Sequence, residues 1–200
     1  MGQPDAEPSR GPGRRPGAPD TRGAILVAAR TSFAERGFER TTMRGVATAA
    51  GVTPGLVHHF FGGKDDLFVE ALGVPFDPRQ VLGSAVDGPI GGLGERIALA
   101  VLRTWDDEQR RQPLLAFLRT AMTSDQVAAL LRGGMPALAL GVLGDLVPGP
   151  DPVQRVELVF AQMLGVAMLR YVVRLEPLAS LPADELACRL GPVLQHHLRG

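Results

Sequence analysis

Cysteine, tryptophan and tyrosine occur once each in 200 residues, and Lys64 is the only lysine. The lone Cys188 excludes an internal disulfide framework and agrees with a reducing compartment. No activating constellation surrounds it in sequence, so helix packing is its expected role rather than nucleophilic chemistry. No uninterrupted apolar run approaches the ~20 residues that cross a bilayer. The most apolar segment, 158–173, is interrupted by Gln162 and Arg170 and reads as a buried helix. The N-terminus lacks the apolar centre of a secretory signal. A cytoplasmic protein with no membrane partner is expected.

Net charge is also missing, at +0, which would count against a nucleic-acid partner. Its distribution argues the other way. Through Lys64 there are nine basic and five acidic residues; beyond it there are twelve basic and sixteen acidic. A basic front on an acidic remainder suits a chain that meets a polyanion with one end. Residues 1–18 are rich in proline and glycine, lack apolar periodicity, and are expected to be a disordered tail. Arg10, Arg14 and Arg15 would let it trail along phosphates, though Asp5 and Glu7 dilute that charge.

From residue 19 onward the periodicity is helical throughout, with neither strict alternation nor a hairpin signature. An all-α fold follows. Asp20 or Thr21 caps a first helix with Ile25, Ala29 and Phe33 on one face, and Gly37 is its expected left-handed stop. Thr42 caps a short helix over 43–50 that Gly51 ends. Thr53 caps the next, with Pro54 at the first helical position, where its missing N–H costs nothing. Gly62 and Gly63 break the chain before a fourth helix over 64–72. The segment 73–78 reads as a junction. Later helices are expected over 79–86, 93–106, 107–123 and 125–146, the last interrupted near 133–136. Asp151 and Pro152 open a long helix over 151–176. A final helix over 182–198 carries Leu186, Leu190, Leu194 and Leu198 in one row, kinked at Gly191–Pro192.

The informative stretch is 42–61. Two short capped helices meet at a tight Gly51–Val52 turn, the arrangement of a helix-turn-helix. Ala47 and Ala50 permit close approach, and Val46, Val52 and Val57 supply the shared apolar wedge. The second helix is then free to present its start and outer face to a major groove. Thr42 and Thr53 combine hydroxyls with unbonded backbone N–H groups at helix N-termini, a chemistry that holds phosphates as well as capping helices. Arg44 can reach a guanine edge or a phosphate. Pro54, Gly55 and Leu56 carry no hydrogen-bonding side chains at the base-facing start. Gly55 admits close approach, Leu56 can touch thymine methyls, and DNA shape would carry part of the specificity. His59 points outward and can reach bases. His58 and His59 project ~100° apart on a helix and make a poor metal site. The adjacent His196 and His197 are expected at the surface.

The ordered set Phe33-Ala-Glu-Arg-Gly-Phe38, Thr41-Thr42, Val46-Ala47, Ala50-Gly-Val-Thr53, Phe61 and Lys64-Asp-Asp-Leu67 closely resembles the N-terminal domain of tetracycline-repressor (TetR) family regulators. The resemblance covers roughly 19–79. It implies a three-helix DNA-binding domain there and a larger effector-binding and dimerisation domain over 80–200. It implies that Lys64 meets the DNA backbone. His58 stands where the family most often has a phosphate-contacting tyrosine, and Gly63 where it commonly has serine. A palindromic operator in double-stranded DNA, a second copy of the chain and an unidentified small-molecule effector are the implied partners. The helices over 151–176 and 182–198 would pair with the second copy, although burial within one chain would give the same apolar pattern.

Trp105, Phe117, Met122, Phe160, Met163, Arg170 and Tyr171 are candidates to line an effector pocket, with Met135 beside them; ordinary core packing is the competing reading for each. Arg170 stands alone among apolar neighbours and could pair with Glu157, Asp145 or an acidic ligand. No nucleophile–base pair, metal-ligand cluster or phosphate-binding glycine loop stands out. The expectation is a ligand-released repressor, not an enzyme, with neither cofactor nor metal. The alternative is a helical binding protein or enzyme that no longer reads DNA.

Overall fold

A computed structural model describes residues 20–74 and 76–199, and every regular element among them is helical. The N-terminal tail with Arg10, Arg14 and Arg15 lies outside the described residues.

Helix α1 (Thr21–Arg40) starts at Asp20, whose carboxylate accepts the Gly23 N–H at 2.9 Å. Ile25, Ala29 and Phe33 are buried at the four-residue spacing of one helix face. Gly37 departs from helical geometry at φ 75° and ψ 172°, a backbone state open to glycine. The chain does not stop there: a last turn continues to Arg40 and carries Phe38 back into the core. Phe38 stacks on Phe33 at 5.8 Å, and the Phe68 ring meets both edge-on at 5.1 and 5.2 Å. Around this triad pack α2 (Met43–Ala50), α3 (Pro54–Phe61) and α4 (Lys64–Leu72), through Val46, Ala47, Val57, Phe61, Leu67 and Leu72.

The remaining helices are α5 (Pro78–Val86), α6 (Leu93–Asp106), α7 (Glu108–Thr123), α8 (Asp125–Leu143), α9 (Pro152–Ala167) and α10 (Ala183–Arg199). Three expectations need correction. Helix α8 runs unbroken through Gly133 and Pro136 and ends at Leu143, with a 3₁₀ turn over Gly144–Leu146. The two glycines have a tertiary purpose: a Cβ on Gly133 would sit 3.2 Å from the Gly37 α-carbon, and one on Gly134 would strike the Phe68 ring. The long helix is α-helical only to Ala167, continues as a π-helix over Met168–Val173, and stops at Arg174 (φ 56°) rather than Glu176. Asp151 precedes it at φ 54° without a side-chain capping bond. Finally, α10 is one continuous helix through Gly191–Pro192. Its Leu186, Leu194 and Leu198 are buried against Leu93, Ile97 and Leu102 of α6, with Leu190 partly buried.

Arg155 of α9 is 7% exposed and has no acidic partner among the described residues. It donates to three carbonyl oxygens, those of His197 (2.9 Å), Leu198 and Pro148. Two of these belong to the last turn of α10, where the helix has no N–H groups left to satisfy its carbonyls. Helix α8 and the segment Pro152–Val173 are long and apolar enough to span a bilayer by length and composition. Helix α8 supplies Leu130 and Leu138 to the N-terminal core and Ala139 and Leu143 to the C-terminal one.

Candidate nucleic-acid interface and internal cavity

The α2–α3 pair is fixed by local chemistry. The Thr42 side chain accepts the Gly45 N–H at 3.0 Å, and Gly51 ends α2 in the left-handed conformation (φ 68°, ψ 30°). The Val52 N–H then returns to the Ala47 carbonyl at 2.9 Å, closing the turn. Thr53 holds the N-cap position of α3, but only its backbone caps: its carbonyl accepts the Leu56 N–H at 3.0 Å and its side chain makes no capping bond. Side-chain capping by Thr53 is therefore a correction. It leaves the hydroxyl of an exposed residue uncommitted at the helix start.

Val57 and Phe61, one turn apart, anchor α3 in the core, while Pro54, Gly55, His58 and His59 face out. Nothing lies within 4 Å of where a Gly55 Cβ would be, so the approach to its backbone is open. Arg44 is exposed on α2 and has no ion pair among the described residues. The imidazole Nδ1 of His58 lies 3.0 Å from the Gly62 carbonyl oxygen. A carbonyl only accepts, so Nδ1 carries a proton in this contact and Nε2 is the ring's remaining polar atom. The His59 ring meets the half-exposed Phe60 at 5.6 Å, an aromatic on this outer face that the motif reading passed over.

Lys64 is less free than a solvated lysine. Its ammonium sits 4.4 Å above the Phe38 ring and donates to the Glu39 carbonyl at 3.2 Å. An ammonium has three donors, so two remain. Behind it, Thr41 is buried with its hydroxyl 3.0 and 2.8 Å from the carbonyls of Ser32 and Gly37, tying the α1 kink to the start of α2.

A cavity of about 520 Å³ opens between the C-terminal helices. Trp105, Phe117, Met122, Phe160, Met163 and Met135 line it, five of them from the candidate pocket set and the sixth named beside it. Arg170 and Tyr171 do not. Tyr171 stacks behind Trp105 at 5.5 Å, and its hydroxyl donates to Asp106 at 2.7 Å. Burial first, then the Asp106 carboxylate, pushes this phenol well above its ordinary pKa. Arg170 is buried, donates to the Leu178 carbonyl at 2.8 Å and pairs with Asp106 at 3.5 Å, instead of Glu157. The Asp145 side chain lies outside what the structure describes.

Sequence reading missed the part of the wall made by the α4–α5 junction, namely Val74, Phe76 and Pro78. Arg79 clamps this junction. Its guanidinium bonds Asp77, the N-cap of α5, at 2.7 Å and reaches Asp66 in the first turn of α4 at 2.6 Å. An Asp-Pro pair opening a helix is a legible capping signal; the bridge to α4 is not local and leaves none. Among the described residues no group of three or more His, Cys, Asp or Glu gathers as a metal site.

The architecture is that of a helical protein with a small helix-turn-helix head on a larger cavity-bearing body. Residues 25–71 match the family of bacterial regulatory proteins, tetR family, and residues 91–198 match the tetracyclin repressor-like C-terminal domain. The chain belongs to the TetR family. It is similar to the HTH-type transcriptional regulator BetI of Rhizobium meliloti (strain 1021), at 28% identity over 56% of this chain and 58% of that protein. It is 31% identical to the HTH-type transcriptional repressor BepR of Brucella suis biovar 1, over 50% of each chain. The matched region thus spans between half and three-fifths of these relatives. A TetR-family regulator of Streptomyces coelicolor A3, known from its crystal structure, is 39% identical, covers 93% of this chain and 98% of its own, and superposes with a TM-score of 0.44.

Proposed function

We propose that the chain is a DNA-binding transcriptional regulator, a repressor that holds a palindromic operator as a dimer and is released by a small molecule. The observation that carries this is the outer surface of α2 and α3. An uncommitted Thr53 hydroxyl, an unpaired Arg44 and an open backbone at Gly55 are all exposed on the capped α2–α3 pair. Thr42, Thr53 and Lys64 meet phosphates; Arg44, Pro54, Gly55 and His59 lie along the groove; His58 approaches the backbone. Operator binding places its work in the bacterial cytoplasm.

A second copy of the chain is the partner that fits the exposed face of α9 and the π-helix. Leu158, Ala161 and Gly165 follow one another at helical spacing on α9 and are exposed, and Leu169 and Val172 of the π-helix beyond them are exposed too. The surroundings of Gly165 are open, so another helix could come close. On α10, Val193 adds to this surface at 42% exposure. Effector binding reaches the reading head because the cavity wall includes the α4–α5 junction and α8, both of which touch the N-terminal core.

The test is a mobility-shift titration against DNA flanking the gene, at several salt concentrations. Wild type should shift a discrete site, with log affinity falling linearly against log salt. Combined Arg44→Ala, Thr53→Ala and Lys64→Gln replacement, in a variant that still unfolds cooperatively, should abolish the shift. Undiminished retention by that variant would refute the reading.

A further inference from the structure

The chamber does not end at its apolar lining. A second, smaller cavity of about 340 Å³ adjoins it, and Phe76, Val81 and Thr104 line both. The two differ in chemistry. Charged residues on the chamber wall are confined to Arg132 and Glu157, and both are exposed. The smaller groove adds Asp77, Gln80, Ser84 and Arg110.

Its charges each have a partner within the chain. Asp77 is held by Arg79 at 2.7 Å, and Arg110 faces Asp107 at 3.3 Å. The hydroxyls are spent as donors but not as acceptors. Thr104 donates to the Ala100 carbonyl at 2.9 Å and Ser84 to the Val81 carbonyl at 2.8 Å. Each therefore turns oxygen lone pairs outward. The Gln80 carboxamide is exposed, with no side-chain hydrogen bond among those described. Thr104 itself is only 6% exposed and stands at the boundary between the two spaces.

From this juxtaposition we infer that the effector is an uncharged amphiphile, with an apolar body in the chamber and a hydroxyl- or amide-bearing end at Thr104 in the polar groove. The inference rests on the chamber being the effector site. At Thr104, which is buried, an ionised end would lose hydration that a neutral end gives up at less cost. A donor end meets the lone pairs of Thr104 and Ser84. At Thr104 and Ser84 themselves a carboxylate, which only accepts, would meet lone pairs with lone pairs.

Trp105, the single tryptophan, lines the chamber and reports on occupancy without a label. Its emission would be titrated in the full-length protein with 1-decanol, decyl methyl ether, decanoate and decyltrimethylammonium, all below micelle formation. Decanol should give a saturable change and bind at least threefold more tightly than each of the other three. Thr104→Val keeps the side-chain shape and removes the acceptor. It should weaken decanol by about three- to tenfold and leave the ether unchanged. The exposed Ser84→Ala supplies a second variant with little risk to folding, and should weaken decanol in the same direction. A charged probe that matches or exceeds decanol overturns the assignment but leaves a ligand-gated regulator intact. So does equal loss of ether and decanol in both variants. No saturable change with any probe removes the chamber as the amphiphile site, whereas operator binding is judged separately by mobility shift.

Discussion

Gly94 of α6 and Gly191 of α10 are in such close contact that a methyl group on Gly94 would lie 2.4 Å from the Gly191 carbonyl oxygen. The same methyl would be 2.5 Å from the Gln195 backbone nitrogen, so the obstacle is backbone and not a side chain that can swing aside. Gly94→Ala must push the two helices apart. We expect a loss of about 1–3 kcal/mol, the usual scale of overpacking, read as a lower urea midpoint with unchanged slope. An unaltered midpoint would mean the helices do not pack this closely.

Arg155 gives a second stability test. Replacing it with Met keeps much of the side-chain volume but strips donors from the carbonyls of Pro148, His197 and Leu198. Leaving these acceptors, of which Leu198's is buried and the other two partly so, without donors should cost roughly 3 kcal/mol. Hydrogen exchange should place the loss in the last turns of α10 and the start of α9. Uniform acceleration across the chain would contradict a local capping role.

The Asp77–Arg79 contact predicts a particular acid response. The side-chain hydrogen bond from Arg79 holds the Asp77 carboxyl below its ordinary pKa of 3.8, against the opposing effect of partial burial. A depressed carboxyl stabilises the fold fully above its unfolded pKa, and that contribution fades as the pH falls through the lower folded one. Below about pH 4, wild type should lose stability that Asp77→Asn never had, so the difference between their urea midpoints should shrink. A constant difference down to about pH 2 would argue against the contact.

At the DNA-binding face, the Nδ1 of His58 is engaged by the Gly62 carbonyl, so only Nε2 is left to meet a phosphate. His58→Tyr supplies a hydroxyl donor at this position. Operator affinity should rise by about three- to tenfold, the worth of one added hydrogen bond. Weaker binding by the variant in the mobility-shift assay would show that the imidazole, not its replacement, suits the backbone.

Local signals were the most legible ones. Thr42, Gly51, Pro54 and Gly62 act on their own or adjacent turns, so the reading head could be traced almost residue by residue. Where tertiary packing overrode local preference, the expectation failed. Gly133 and Pro136 look like breakers, yet α8 continues through them because the glycines let it settle on Gly37 and Phe68. In sequence, residue type and an apolar setting make Arg170 and Tyr171 pocket candidates. The wider π turns from Met168 onward change the angular phase, so both residues lie behind the cavity wall beside Asp106. Asp106 is far from either in sequence, and nothing short of the fold brings them together.

Helix α8 lends Leu130 and Leu138 to the front cluster, and Leu131, Met135 and Ala139 of the same helix wall the cavity. Head and body are thus joined by a common beam instead of a hinge. A fragment ending at residue 79 would lack two of the leucines that complete its interior, and heat should melt the whole chain in one calorimetric peak.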